Sequence, residues 1–310
     1  WKFKNSRLNL KKIFYSAPHL FQAIIWIIYF IITRYGLKKI SKDNIKKVDN
    51  DITFFSYFCN LDQKSIQKNQ FLSRYWNNLP KILKKRNNKI QKMHIYIPKN
   101  TFKCVKKTRR FVSLINKRES NENHLFFECF LTFEVLLNVF INWINLIKKW
   151  KNLKNITNDL LLEDINFTPF YYHEWKADFF GIRAVNNLVY YFLIKNFIKK
   201  INDKSIGIYL MENQPWEYFL LQIWKENSKN SIIGVPHSTI SFWDLRFFFD
   251  EKTYQNINHI LPMPSKIALN GPIAFNRFIE SRYPNNKIFS VEALRYLYLY
   301  DNPNRFKKML

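Results

Sequence analysis

Glycine is scarce in this chain, with 5 residues in 310. Phosphate-binding loops of the GxGxxG and GxxxxGK(S/T) types need glycine where the backbone closely approaches the phosphate groups. Neither pattern occurs in the sequence. This absence excludes a glycine-rich nucleotide loop of either type.

Cysteine is also rare, and the three cysteines are scattered at Cys59, Cys104 and Cys129. There is no CxxC pair, and no cysteine is spaced from a histidine in the manner of a zinc ligand. A disulfide framework and a structural zinc site are therefore not expected, and we predict no metal site. This cysteine usage is typical of a reducing compartment.

Acidic residues are outnumbered by 50 Lys and Arg to 23 Asp and Glu, so the formal net charge is +27. Such a chain attracts polyanions: nucleic acid, anionic lipid or phosphorylated substrates. Signatures of helix-turn-helix, zinc-finger or RNA-binding modules are missing, and the basic residues are spread along the chain. Nucleic acid is therefore not an expected partner.

Long apolar runs are limited to one near the beginning, LFQAIIWIIYFIIT at residues 20–33. Residues 1–50 hold 11 Lys or Arg against 2 Asp or Glu, a local charge of +9. We predict a basic, apolar helix at the surface of an anionic membrane. A buried helix packed on the domain is an equal alternative. A membrane-spanning helix is less favoured, because the run is shorter than the roughly 20 apolar residues that a span needs.

Beyond residue 50, strand patterns alternate with helix patterns, which predicts an α/β fold: a mainly parallel, Rossmann-like sheet with helices on both faces. Predicted strands cover residues 52–58, 93–97, 124–129, 206–210, 231–235, 258–261 and 266–269. Predicted helices cover residues 65–86, 101–117, 130–150, 175–201, 215–226, 272–282 and 291–299. We divide the chain into a basic segment 1–50, an α/β domain 51–300 with a helical insertion at 130–202, and a linker at 301–310.

Polar residues follow four of the predicted strands, at the end where open parallel sheets bind ligands. These residues are Cys59, Asn60 and Asp62 after the first strand, Glu212, Asn213 and Gln214 after 206–210, Pro236, His237 and Ser238 after 231–235, and Asn270 and Gly271 after 266–269. A set of carboxylates, amides and an imidazole that converges on one sheet edge predicts a binding or catalytic cleft.

Each candidate also has a structural interpretation. Pro215 followed by Glu217 is the pattern of a helix start with a capping box. Asp62 could cap the helix that follows it, and Gly271 could serve a tight turn with positive φ. Glu212 precedes the helix start and has no such local role, so it is the strongest candidate for a site residue.

Several blocks of the sequence together resemble the bacterial surface carbohydrate biosynthesis proteins, glycosyltransferases of lipopolysaccharide and capsule synthesis. The blocks are FFSYFCNLD (54–62), FLSRYWNNLP (71–80), MENQPWE (211–217), IGVPHSTISFWDLR (233–246), PSKIALNG (264–271) and VEALRYLYL (291–299). They occur in order and cover most of residues 51–300. The resemblance implies a GT-B architecture of two Rossmann domains.

A more distant similarity to GT-B enzymes of the nucleotide-sugar epimerase type implies which domain this is. In their first domain an acidic strand end, a histidine, a proline and Asn-Gly follow one another, as do Glu212, His237, Pro264 and Asn270-Gly271 here. A second, nucleotide-binding domain would then start after about residue 305. Because the chain also begins at Trp1 rather than Met, we expect it to be a piece of a longer protein.

The resemblance implies a metal-independent transfer from a nucleotide-sugar donor, with no other cofactor. Glu212 or Asp62 would be the base for the acceptor hydroxyl, with His237 as a third candidate. His237 and Ser238 could instead contact donor phosphate, as in sialyltransferase-type enzymes, so a CMP-activated acidic sugar is one possible donor. Those enzymes have His followed by Pro, whereas Pro236 precedes His237 here.

Substrate contacts are expected from Asn213, Gln214, Ser238, Asn270, Gly271, Tyr57 and Arg246. The acceptor would be a glycan or a lipid-linked anion at the inner face of the cytoplasmic membrane, where segments 20–33 and 130–150 could hold the protein. Two other functions stay open: a nucleotide-sugar epimerase, and a non-catalytic protein of polysaccharide assembly. A nucleic-acid-binding protein is the least favoured.

Overall fold

The fold is taken from a computed structural model of the 310-residue chain. It describes residues 17–40, 50–153, 161–162, 165–227, 230–237, 240, 244, 246–249, 253–254 and 261–294. The predicted strand at 258–261 therefore lies almost wholly outside the described residues, as does Ser238. The chain divides into two compact units, Trp1–Tyr35 with Leu131–Leu193, and Gly36–Phe130 with Ile194–Leu310.

The larger unit, Gly36–Phe130 with Ile194–Leu310, is built on a seven-stranded sheet in which every neighbouring pair is parallel. Its strands are β1 (Ile52–Tyr57), β2 (Ile90–Ile95), β3 (Glu122–Phe126), β6 (Ile206–Met211), β7 (Ile232–Pro236), β8 (Lys266–Asn270) and β9 (Ile288–Val291). Their order is β3-β2-β1-β6-β7-β8-β9. This order is that of a Rossmann-like sheet, so the predicted α/β class is confirmed.

The helices of this unit are α2 (Gln63–Gln67), α3 (Leu79–Lys85), α4 (Val105–Arg118), α8 (Pro215–Asn227) and α9 (Gly271–Glu280). The α4 helix buries Thr108, Phe111, Val112 and Ile115 and exposes most of its basic residues, which is the pattern of a helix packed on a sheet. Strands β1 and β2 are buried on both faces, and β1 has a largely apolar sequence for that reason.

Two predicted helices of this unit are wrong in extent. Residues 65–86 form α2 and α3 with turns between them. The left-handed backbone of Asn69 (φ 52°) and Asn77 (φ 41°) interrupts the predicted helix. The predicted helix 291–299 begins where the chain is still in β9, and its remainder from 295 lies outside the described residues.

The smaller unit, Trp1–Tyr35 with Leu131–Leu193, is mainly helical. It contains α1 (His19–Arg34), α5 (Phe133–Leu153), a two-stranded hairpin of β4 (Leu161–Leu162) and β5 (Ile165–Asn166), α6 (Thr168–Phe180), and the larger part of α7 (Ile182–Ile198). Ala23 of α1, Trp143 of α5, and Ala184 and Val185 of α7 form its buried cluster. The predicted apolar N-terminal helix is thus present.

The predicted helix 175–201 is divided at Gly181 into α6 and α7. The Gly181 N–H still bonds the Ala177 carbonyl at 2.9 Å, but its backbone is extended, with φ −99° and ψ −168°. A Cβ atom at this position would lie 2.7 Å from the Ala177 carbonyl oxygen. The break therefore requires glycine, because any side chain would collide with the preceding turn.

A buried polar chain crosses β2 and β3. Glu122 Oε1 accepts from His124 Nε2 at 2.9 Å, and the His94 Nε2 atom lies 3.1 Å from His124 Nδ1. Lys92 Nζ lies 2.5 Å from Glu122 Oε1, and all four residues are at least nine-tenths buried. If His124 donates to the carboxylate, His94 is the donor to His124, and both imidazoles are neutral.

Candidate functional site

The candidate site lies beyond the carboxyl ends of β1 and β6, where the order of the strands reverses. From β1 the chain proceeds outward through β2 and β3, and then returns to β6 on the other side of β1. In open parallel sheets the crevice beyond the carboxyl ends of two such strands is the usual place for a ligand. Cys59 and Asn60 follow β1 at this point, and Glu212 and Asn213 follow β6.

Glu212 and His237 form a pair across the ends of β6 and β7. His237 Nδ1 lies 3.3 Å from Glu212 Oε1, and the side chains are 14% and 24% exposed, respectively. Burial raises the pKa of Glu212, and the nearby charge of Arg246 opposes that rise. A half-buried carboxylate beside an imidazole is an arrangement that can accept and hold a proton.

Glu217 holds the loop that carries Glu212. Its carboxylate accepts the backbone N–H groups of Glu212 at 3.1 Å, Asn213 at 2.9 Å and Gln214 at 3.1 Å. The bond from Gln214 is the predicted capping box of α8, and the two further bonds extend it to the strand end. Burial raises the pKa of Glu217 to about 8, whereas the three N–H donors favour the charged form and oppose that rise.

Two asparagines at the reversal point have left-handed backbones. Asn60 after β1 and Asn213 after β6 both have φ 54°. Asparagine tolerates this region better than other residues with a side chain, although such backbones remain uncommon and concentrate at functional sites. The Asn213 Nδ2 atom is buried and has no hydrogen-bond partner among the described residues.

Tyr75 completes the site between the two strand ends. Its ring stands edge-on to the His237 imidazole, with centroids 4.9 Å apart. Its hydroxyl accepts from Asn60 Nδ2 in a short hydrogen bond and lies 3.8 Å from Cys59 Sγ. Burial raises the pKa of both the Tyr75 hydroxyl and the Cys59 thiol, so both stay protonated at neutral pH.

Sequence reasoning missed Tyr75, because it was placed among the apolar positions of the predicted helix 65–86. The sequence held one signal, the position of Tyr75 inside the resembling block at 71–80. The Tyr75 ring reaches His237 because Tyr75 lies in the non-helical segment between α2 and α3, which the sequence did not reveal.

A cavity of about 270 Å³ opens beside Asn60 and Cys59. Its lining includes Arg74 and Lys99, and none of its lining residues is acidic. Both cations are exposed. The cavity is smaller than the roughly 300–1,000 Å³ of a typical small-molecule pocket. It therefore has room for one anionic group of a ligand rather than for a whole nucleotide sugar.

The remaining predicted residues have structural partners. The Asp62 carboxylate caps α2, since it accepts the Ser65 N–H at 2.8 Å and the Ser65 hydroxyl at 3.0 Å. The Tyr57 hydroxyl accepts from Trp216 Nε1 at 2.8 Å. Thus Asp62 has the capping role that was the alternative to catalysis, and Tyr57 braces the start of α8.

Three other predicted residues lie around the Glu212–His237 pair. Arg246 forms a two-bond pair with Asp244, at 2.8 Å each, and also donates to the Glu212 carbonyl at 3.3 Å. Asn270 Nδ2 donates to the Pro236 carbonyl at 2.8 Å, directly before His237. Gly271 has the predicted positive φ, 81°, at the start of α9. Asn270 and Arg246 thus support the backbone on either side of the pair.

Within the described part of the chain, no group of three or more His, Cys, Asp or Glu side chains could hold a metal ion.

Comparison with protein families, curated proteins and solved structures yields no match to this chain.

Proposed function

We propose that this protein is a glycosyltransferase that transfers a sugar from a nucleotide-sugar donor to a hydroxyl acceptor. The observation that carries the proposal is the Glu212–His237 pair, 3.3 Å apart beyond the strands at which the sheet order reverses. The resemblance to surface carbohydrate glycosyltransferases supplies the reaction class. The pair supplies the proton acceptor that this reaction needs.

In the proposed reaction His237 is the base and Glu212 orients it. The acceptor hydroxyl forms a bond to the anomeric carbon of the donor while the bond from that carbon to the phosphate oxygen breaks. His237 takes the hydroxyl proton, and the nucleotide leaves with the bonding electron pair. Glu212 stabilises the imidazolium that forms, as the carboxylate does in enzymes whose general base is a histidine paired with an acidic residue.

The cavity lined by Arg74 and Lys99 supports an anionic substrate. Two cationic side chains without an acidic neighbour in the lining favour a phosphate or a sugar carboxylate. Cys59 and Asn60 line this cavity, and both lie close to the Tyr75 hydroxyl, whose ring faces His237. An anion in the cavity would therefore sit next to the proposed base.

Glu212 and His237 are favoured over Asp62 as the proton-transfer groups. The Asp62 carboxylate already accepts two hydrogen bonds from Ser65 at the start of α2. The Ser65 N–H lowers the pKa of Asp62, which makes it a weaker base than a buried carboxylate with a raised pKa. We therefore assign Asp62 a structural role.

The test is sugar transfer by the purified full-length protein from UDP-, GDP- and CMP-linked sugars to a mixture of glycan acceptors, followed by mass spectrometry. His237→Ala and Glu212→Gln should each lower the transfer rate by about 10²–10⁴-fold, the usual contribution of general base catalysis. Exposed residues of the same types supply matched controls, His173→Ala and Glu226→Gln, which should keep the rate.

Each alternative outcome has a definite meaning. Unchanged rates in both site variants would eliminate this site, and no transfer from any donor would overturn the proposed function. An altered sugar formed without acceptor would instead identify an epimerase.

A further inference from the structure

Helix α1 carries a continuous apolar stripe on its exposed side. The stripe consists of Leu20, Phe21, Ile24, Ile25, Ile28, Tyr29 and Ile32. These positions repeat at intervals of three and four residues, so they share one face of the helix. Their exposure reaches 73% at Ile32, while Ala23 and Phe30, at 0% and 3%, pack into the smaller unit.

Helix α5 of the same unit has a second stripe of this kind. It consists of Phe133, Leu137, Phe140, Ile141 and Ile144. Phe133 is 81% exposed and Phe140 53%, whereas Val135, Val139 and Trp143 are buried. Exposed apolar stripes on two helices of one unit mark surfaces that are covered by something other than water.

The charges of these two helices indicate what covers the stripes. Helix α1 has no acidic residue and ends at Arg34. Helix α5 has Glu134 as its one acidic residue, and three lysines near its end: Lys148, Lys149 and Lys151. Apolar stripes beside cationic ends are complementary to a bilayer whose headgroups are anionic.

We propose that helices α1 and α5 dock the protein on an anionic lipid bilayer, with the two stripes inserted at the level of the headgroups. The partner is the lipid surface itself, and this inference goes beyond the proposed function, because it does not depend on the chemistry at Glu212.

The surroundings of α1 favour a position in the interface over a span. By length and composition alone, His19–Ile40 could cross a membrane. However, His19 at the start of α1 contacts the ring of His173 at a centroid distance of 5.2 Å. Next to His173, Glu174 pairs with Arg183, which also lies 3.3 Å from Asp178, and these three charged side chains are 43–56% exposed. Exposed ion pairs beside α1 need water, which the hydrocarbon core does not offer.

The test is flotation of the purified chain with vesicles of phosphatidylcholine alone, or of equal parts phosphatidylcholine and phosphatidylglycerol. We expect binding to the anionic vesicles, weaker binding at high salt, and little binding to phosphatidylcholine alone. Ile28→Asn with Ile32→Asn should lower vesicle partitioning by at least about tenfold.

Matched controls separate this surface from the rest of the molecule. Ile273 in the larger unit is 73% exposed, as Ile32 is, and Ile273→Asn should leave binding unchanged. Lys148→Gln with Lys149→Gln should weaken binding about tenfold, whereas Lys106→Gln with Lys107→Gln, a pair that is also exposed, should not.

Several results would overturn the proposal. The first is no flotation with anionic vesicles, and the second is an equal loss of vesicle binding in the Ile28/Ile32 and Ile273 variants. The third is a dimer of the unmodified protein in sedimentation velocity that becomes a monomer in the Ile28/Ile32 variant. Resistance of the bound protein to alkaline carbonate would show a spanning helix instead. Because Glu212→Gln should still float, the failure of the transfer assay and the failure of docking are distinguishable.

Discussion

At the scale of single residues, the loop after β6 shows how a reactive group is held. Glu212 stands beside His237, the next residue Asn213 has a left-handed backbone, and the carboxylate of Glu217 accepts three successive N–H groups. The two glutamates thus have separate tasks. Glu217 is buried and holds the backbone, which leaves the partly exposed Glu212 for the pair with His237.

A substitution of Asp62 tests whether this residue caps α2 or takes part in proton transfer. Asp62→Ala removes the cap of α2 and should lower the free energy of unfolding by about 1 kcal/mol, measured by urea denaturation. The rate of sugar transfer should not change. Lys64→Ala, an exposed substitution in the same helix, is the control and should have little effect on either quantity. A large loss of rate without a loss of stability would return Asp62 to the catalytic candidates.

At the scale of secondary-structure elements, β2 and β3 are joined by the buried chain of Lys92, Glu122, His124 and His94. Burial alone would raise the pKa of Glu122, but Lys92, His124 and Lys84 together lower it well below its ordinary value. Glu122 is therefore charged in the folded protein. A buried ion pair adds little stability against an apolar replacement, but breaking it leaves an uncompensated charge.

Glu122→Gln should accordingly lower the free energy of unfolding by about 3–5 kcal/mol, because Lys92 is then buried without an ionic partner. Chemical denaturation followed by circular dichroism measures the change. Glu119→Gln is the matched control, since Glu119 also contacts Lys84 at 2.7 Å but is 45% exposed. It should cost no more than about 1 kcal/mol. An equal loss of unfolding free energy in the two variants would contradict the assignment of Glu122 as the buried partner of Lys92.

At the scale of the whole molecule, the buried histidines make stability depend on pH. Burial lowers the pKa of His94 well below its ordinary 6.5 and also lowers that of His124. In the unfolded chain both regain a pKa near 6.5 and bind protons below that pH. Their contribution to stability is therefore complete above about pH 6.5 and is lost as the pH falls.

We expect the free energy of unfolding to fall between pH 6.5 and 5 by up to about 1.4 kcal/mol per pH unit for each histidine. Glu217 acts in the opposite direction, because its raised pKa of about 8 gives a contribution that is present below its ordinary 4.5 and is lost as the pH rises toward 8. Comparison with His94→Gln isolates the histidine effect. The variant should show a shallower loss of stability in acid, and an identical slope would contradict the assignment.

The arrangement of the larger unit followed from local patterns, while several of its details did not. Alternating apolar strands and amphipathic helices predicted the parallel sheet, and Pro215 with Glu217 predicted the start of α8. The helix at 65–86 was wrong, because Asn69 and Asn77 turn the chain into left-handed backbone that apolar periodicity does not reveal. Strand β9 was also not predicted, because it is short and its residues alternate irregularly between buried and exposed.

By itself the sequence determined the α/β class, the strand ends that carry Glu212, His237 and Asn270, and the apolar basic helix at residues 19–34. These features depend on residues close together in the chain, so periodicity and capping signals are enough to find them. Only the tertiary structure decided that Glu212 meets His237, that Tyr75 faces the imidazole, and that α5 exposes a stripe like that of α1. Those contacts join residues far apart in the sequence, and strand order and helix packing create them.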